Sequence, residues 1–261
     1  MALFDKKNCA ICGAKIGLVG NRKLDDGNLC KDCAAKLSPW FSERRNSTVA
    51  QIEEQLIYRE NNQAMVEAFQ TTRSIGQNTK VLIDENAEKF IVSRGRSLGQ
   101  ENPDVLDLTQ VTSCMLDLSE GRSELKRKDA DGTEKSYVPP RYAYTFDFNI
   151  QINVNHPWFD VIRFKLNNSQ IKIEPLSTTD STRFATMTPA DIGRTSADYR
   201  ECEAMAEEIV TALTRAQQVA RERIVAASTP RQAVICPFCR ATTTPDTNGR
   251  CEYCGGAVGA A

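Results

Sequence analysis

The chain has 261 residues, 41% of them hydrophobic and 26% charged, with a formal net charge of -1. That composition excludes an intrinsically disordered chain and allows one medium domain with small satellites; the near-neutral balance provides no broad basic surface for nucleic acid. No apolar run approaches the roughly 20 residues of a membrane helix, and Met1-Ala2-Leu3-Phe4-Asp5-Lys6-Lys7 lacks the apolar core of a secretory signal, so cytoplasm is the expected location.

Ten cysteines without an export signal point to metal rather than to a disulfide framework, because cytosolic thiols are kept reduced. The first four are Cys9 and Cys12, followed by Gly13, and then Cys30 and Cys33, separated by a segment around Lys15-Ile16-Gly17-Leu18. Two intervening residues let both thiolates of a pair reach one tetrahedral ion from a tight turn, and Gly13 supplies permissive backbone. The second pair opens a helix, whose first amides stabilise thiolate charge. Knuckle, hairpin and ligands on a first helical turn make a treble-clef-like zinc module over residues 1–38. The stretch LFDKKNCAICGAKIGLVGNRKLDDGNLCKDCAAKLSPWFSERR resembles the N-terminal four-cysteine domain of an uncharacterised bacterial family, a domain of unknown function. The resemblance implies a bacterial, cytosolic, metal-binding protein and implies no known reaction.

Residues 39–78 are expected to form a helical connector. Trp40-Phe41 should anchor the module to a neighbour, Thr48 to Gln51 has the form of a capping box, and Ile52, Leu56 and Tyr58 begin an apolar stripe. Met65, Val66 and Phe69 suggest a second short helix.

A β-rich domain is expected over 79–226. Val81-Leu82-Ile83 and Phe90-Ile91-Val92 flank the polar turn 84–88, and a strand runs from Val111 to Leu118 after Asn102-Pro103-Asp104. Asp131-Gly132 marks a turn between weaker strands near Leu125 and Tyr137, with Lys126-Arg127-Lys128 read as solvated loop. From Tyr142 to Val154 every even position is apolar, the signature of a half-buried strand, and Ile162, Phe164 and Leu166 continue the alternation beyond Asn155-His156-Pro157; together they predict a long antiparallel hairpin. A last strand follows at Ile171 to Ile173, then a loop from about Pro175 to Arg194 whose length points to function or mobility. The helix from Ser196 to Ala226 carries Tyr199, Cys202, Ala206, Ile209, Leu213, Ala216 and Ala220 as an apolar stripe, suited to covering a sheet or, alternatively, to a coiled-coil dimer. Cys114 and Cys202 read as small buried hydrophobes. The order of about seven strands and a closing helix resembles the pleckstrin-homology-like architecture.

A small-residue linker, 227–233, leads to Cys236, Cys239, Cys251 and Cys254 in residues 234–261, which resemble a minimal zinc ribbon too small to bury a core without metal. The expectation is therefore an α+β protein with two structural Zn²⁺ ions, ligated by Cys9, Cys12, Cys30 and Cys33 and by Cys236, Cys239, Cys251 and Cys254.

Catalysis is not expected. His156 is the only histidine, it falls in a turn with no partner nucleophile in any local motif, and four-thiolate sets leave no open coordination position. Arg94 to Gly99 lacks phosphate-loop spacing. Residues 1–37 hold seven Lys/Arg against four Asp/Glu, and residues 231–261 three against two; bound thiolates would offset both excesses, so neither module is the footprint that phosphate contacts demand. Lipid headgroups meet an acidic loop, Asp84 to Glu88, where the pleckstrin-homology-like architecture would place basic residues, although Arg94 and Arg96 follow in the next loop. The remaining expectation is a scaffold or adaptor with a protein partner; a nucleic-acid-binding zinc ribbon and a lipid-headgroup-binding domain are the alternatives.

Overall fold

Turn-forming residues divide the N-terminal segment into two short hairpins and one helical turn. In the computed structural model, which describes residues 7–17, 19–95, 97–228, 233–246 and 249–258, β1 (Lys7–Asn8) pairs with β2 (Lys15–Ile16), β3 (Arg22–Lys23) pairs with β4 (Asn28–Leu29), and α1 (Lys31–Ala34) begins at Cys30. Leu18, Arg96 and the linker at 229–232 lie outside the described residues. Gly27 closes the second hairpin beneath the next helix: a Cβ there would meet Val49 Cγ2 at 2.8 Å. The module's buried residues, Leu24, Leu29 and Leu37 among the cysteines, are completed by Ile52.

That residue belongs to α2 (Val49–Ala68), one continuous 20-residue helix started by the Thr48/Gln51 capping box. The second helix expected at Met65–Phe69 is its last turns. Its buried face also differs from the expected apolar stripe: Ile52, Gln55, Arg59, Asn62 and Val66 face inward, so three of the five are polar. Asp104, buried and fully desolvated, accepts from Ser38 Oγ (2.7 Å), Tyr58 OH (3.1 Å) and Arg59 Nη1 (2.7 Å). Asn62 donates to Pro103 O (2.8 Å) and accepts from the Val105 amide (2.9 Å). Buried polar groups need such partners, and these tie α2 to the segment beyond it. Phe41 meets Trp158 edge-on at 6.2 Å, and the Arg94 guanidinium lies 5.9 Å from the Trp40 ring, so both predicted anchors make ring contacts.

The first sheet is an antiparallel meander of β5 (Arg73–Gly76), β6 (Lys80–Asp84), β7 (Lys89–Ser93) and, after the short α3 (Leu98–Glu101), β8 (Val105–Asp107). It has two strands beyond those predicted. β5 carries a single buried apolar residue, Ile75, too faint a pattern to read, and β8 follows Pro103 at once. The loop joining the first two strands is consequently Gln77-Asn78-Thr79; the acidic turn 84–88 joins the second and third.

The second sheet is built on β9 (Val111–Lys128) and β10 (Glu134–Val154), paired along nearly their whole lengths. The weaker strands expected near Leu125 and Tyr137 are the far ends of these two, and Lys126–Lys128 lie in β9, exposed. On its other edge β10 pairs with β11 (Val161–Lys165) over Asn149–Asn153 and with β12 (Ile171–Ile173) over Tyr144–Phe146. Between them Asn167 replaces a strand: its side chain accepts from the Phe148 amide (2.8 Å) and donates to Phe146 O (3.3 Å).

The predicted loop at 175–194 contains two capped helices, α4 (Thr178–Phe184) after Ser177 and α5 (Pro189–Gly193) after Thr188, with proline at the first turn. Then α6 (Ala197–Ser228) lays Tyr199 edge-on to Phe146 and Phe148, at 5.0 and 4.9 Å, and buries Cys202, Ala206, Ile209 and Leu213. Its stripe covers the even-numbered face of β10, as the alternation in both segments requires. Cys202 is buried, whereas Cys114 is only half-buried.

The chain divides into two compact units, Met1–Gln218 and Val219–Ala261. The second contains the end of α6 and a hairpin of β13 (Val234–Ile235) and β14 (Thr242–Thr243). The molecule is thus α+β, with antiparallel sheets, a long C-terminal helix and a small cysteine-rich module at each end. Among the described residues, no helix is long and apolar enough to cross a membrane.

Candidate metal centres

Three of the four cysteine pairs share one backbone turn. At Cys9, the carbonyl accepts from the Gly13 amide (2.9 Å) and the amide donates to Ala14 O (2.8 Å). The same two bonds join Cys236 to Arg240 (2.8 Å) and Ala241 (2.9 Å), and Cys251 to Gly255 (2.9 Å) and Gly256 (2.8 Å). The fifth residue of each turn has a left-handed backbone: φ is 71° at Gly13, 59° at Arg240 and 68° at Gly255. The fourth pair is built differently. Cys30 is the N-cap of α1 and its sulfur accepts from the Cys33 amide at 3.3 Å, while the Cys30 amide donates to Cys9 Sγ at 3.3 Å.

These local turns converge. The sulfurs of Cys9, Cys12, Cys30 and Cys33 lie within 4.8 Å of one another, as do those of Cys236, Cys239, Cys251 and Cys254. The Sγ···Sγ separations are 3.7 Å for Cys12–Cys30, 3.6 Å for Cys236–Cys254 and 3.7 Å for Cys239–Cys251. Metal–sulfur bonds of about 2.3 Å in a regular tetrahedron require sulfur pairs about 3.8 Å apart. All ten cysteines are free thiols. Residues 7–55 match the model of a family described as Domain of unknown function (DUF4428). That span holds the first tetrad and ends at Gln55, within α2. No curated protein matches the chain, and no solved structure matches it.

Charge within each tetrad is divided unevenly. Burial raises the Cys9 thiol, but amides of Cys12, Cys30 and Ile11 outweigh it and bring the group down to about 6, whereas burial and the neighbouring sulfurs push Cys33 well above the ordinary thiol range. In the second tetrad burial also opposes ionisation of Cys251, yet the Cys254 and Tyr253 amides lower it to about 6; at Cys254 the Gly256 amide favours the thiolate but sulfur neighbours prevail, raising it to about 12. Backbone amides favour the thiolate at Cys9 in the first site and at Cys251 and Cys236 in the second, and ionisation of Cys33, Cys239 and Cys254 is resisted by burial and the neighbouring sulfurs. A divalent cation among the sulfurs removes that resistance.

The second module also exposes apolar side chains that the spacing argument passed over. Phe238 and Tyr253 occupy the third position of the two knuckles and are 70% and 68% exposed, and Ile235 is 71% exposed. The signal was present, since both CPFC and CEYC carry an aromatic there. His156 lies in the predicted turn, stacked on Phe159 with centroids 4.2 Å apart and 5.2 Å from the Tyr58 ring; its Nδ1 accepts from the Trp158 amide at 3.3 Å. Burial lowers its pKa from the usual histidine range.

Proposed function

We propose that each tetrad holds one structural Zn²⁺ and that the protein is a non-catalytic scaffold in which two metal-braced modules present surfaces to a protein partner. The observation that carries the metal assignment is the convergence of four thiol sulfurs in each module to within 4.8 Å of one another, with separations of 3.6 to 3.7 Å for Cys12–Cys30, Cys236–Cys254 and Cys239–Cys251 that match the edge of a tetrahedral ligand shell. An all-thiolate set suits Zn²⁺ and fills its four positions, which favours bracing over water activation. The same reading makes the C-terminal module a zinc ribbon and the N-terminal one a treble-clef-like unit. Two four-stranded antiparallel sheets followed by a long helix support a pleckstrin-homology-like reading of the middle region. The loop between its first two strands, Gln77-Asn78-Thr79, has no basic residue to attract a lipid headgroup.

Elemental analysis of protein purified without added metal tests the first part: two zinc ions per chain are expected, and fewer than one, or iron, would overturn it. The scaffold reading draws support from Ile235, Phe238 and Tyr253, apolar groups exposed on a module stiff enough to present them. Nuclease-treated pull-downs with the intact protein and with Phe238→Ser/Tyr253→Ser should differ by a protein partner; equal capture by both would refute this surface. The same two rings favour a second reading, stacking on single-stranded nucleic acid. It predicts oligonucleotide binding that quenches Tyr253 fluorescence and weakens steeply with salt.

A further inference from the structure

β9 has an unused edge. β10 pairs with it from Val111 to Lys128, and β11 and β12 both lie on the far side of β10, so among the described residues no strand pairs with the outer edge of β9. From Ser119 to Lys128 every side chain is exposed except half-buried Leu125. Of the two irregularities in the ladder, the one at Tyr137–Pro140 belongs to β10 and the one in β9 falls at Thr112, so β9 runs in regular register from Ser113 to Lys128. Such an edge is a template for another strand, and its side chains decide which strand fits.

Residues two apart share a face, so Glu120, Arg122, Glu124 and Lys126 form a row of alternating sign. None of the four forms an ion pair among the described residues. Suppose a second copy pairs antiparallel with this edge about a twofold axis normal to the sheet. Both copies then present the same face upward, so even-numbered residues meet even-numbered ones. With the axis at Ser123, Glu120 meets Lys126 of the second copy and Arg122 meets Glu124 of the second copy, and symmetry repeats both pairs. All four charges find opposite partners. Moving the axis one residue toward the N-terminus sets Arg122 against itself and Glu120 against Glu124; one residue the other way sets Glu124 against itself and Arg122 against Lys126. The opposite face agrees with the Ser123 register as well: Gly121 lies across from Leu125 of the second copy, a small residue beside a large one, and Ser123 faces itself.

We propose that this edge is a homodimer interface, in which two copies pair β9 antiparallel about Ser123 and join their second sheets into one. The occupant is a second copy rather than another protein because the charge row is complementary to its own reverse, which an unrelated strand has no reason to match. The inference goes beyond the metal-braced scaffold and alters no cysteine, so either can fail without the other.

Sedimentation of the full-length protein over about 1 to 100 µM, the range in which an interface of modest area associates, tests it. The expected result is a reversible dimer that weakens as salt is raised. Arg122→Glu and Glu124→Arg should each weaken it by about tenfold or more, since each sets like charges directly opposite at two symmetric positions. The double variant Arg122→Glu/Glu124→Arg should recover the dimer, because the pairs are again of opposite sign. Thermal unfolding followed by circular dichroism confirms that these exposed substitutions leave the fold intact. A monomer throughout the concentration range would overturn the proposal, as would a dimer indifferent to the single reversals or a double variant that fails to recover.

Discussion

Arg240 occupies a backbone position that glycine fills in the two other knuckles. Its φ of 59° brings Cβ close to the following carbonyl, a strain that a side chain bears and Gly13 and Gly255 avoid. Arg240→Gly should therefore stabilise the C-terminal module by about 1 kcal/mol, visible as about fivefold tighter zinc retention against a competing chelator. A weaker module would show that the Arg240 side chain contributes more than its backbone strain costs. At this scale the sequence was most informative for the cysteines, because two intervening residues and a tight turn leave little freedom in where two sulfurs point. It said less about Asp104 and Asn167, whose partners lie far along the chain and belong to no local motif.

Among the elements, α2 shows what periodicity misses. Its inward stripe keeps helical spacing, but Gln55, Arg59 and Asn62 replace apolar residues, so the hydrophobic pattern fades midway and reads as two helices with a break. The helix continues because Arg59 and Asn62 satisfy, and are satisfied by, groups at Asn102, Pro103, Asp104 and Val105, whereas the buried Gln55 amide makes no side-chain hydrogen bond among the described residues. Asp104→Ala removes the carboxylate on which Ser38, Tyr58 and Arg59 converge and leaves Arg59 buried without a counter-charge. Chemical denaturation should show a loss of about 3 to 5 kcal/mol, and Arg59→Met combined with Asp104→Leu should return much of it by replacing the pair with packed apolar groups. A single variant within 1 kcal/mol or so of the parent would mean that solvent reaches the site. Likewise α4 and α5 are short and largely polar, and their length suggested a loop, but Ser177 with Asp180 and Thr188 followed by Pro189 are the start signals that disclose them.

At the scale of the whole molecule the two tetrads are embedded differently. The N-terminal one shares a buried cluster with Ile52 and adjoining residues of α2, whereas Cys236 and Cys251 cluster with Val258 and Val234 inside a separate compact unit. Cys9→Ser/Cys12→Ser should accordingly lower the main melting transition, while Cys236→Ser/Cys239→Ser should unfold 233–258 and leave that transition in place; differential scanning calorimetry distinguishes the two, and equal effects would refute the asymmetry. The sequence by itself determined the elements with strong internal periods: the alternating strand at 142–154, the long striped helix after Ser196, and the CxxC turns, each specified by contacts within a few residues. Only the tertiary structure decided that β5 and β8 complete the first sheet, that β9 and β10 run on past their apolar halves as one exposed ribbon, and that Asp104 gathers three distant side chains. In those places the stabilising partner is remote in sequence and polar in character, so neither hydrophobic period nor local propensity records it.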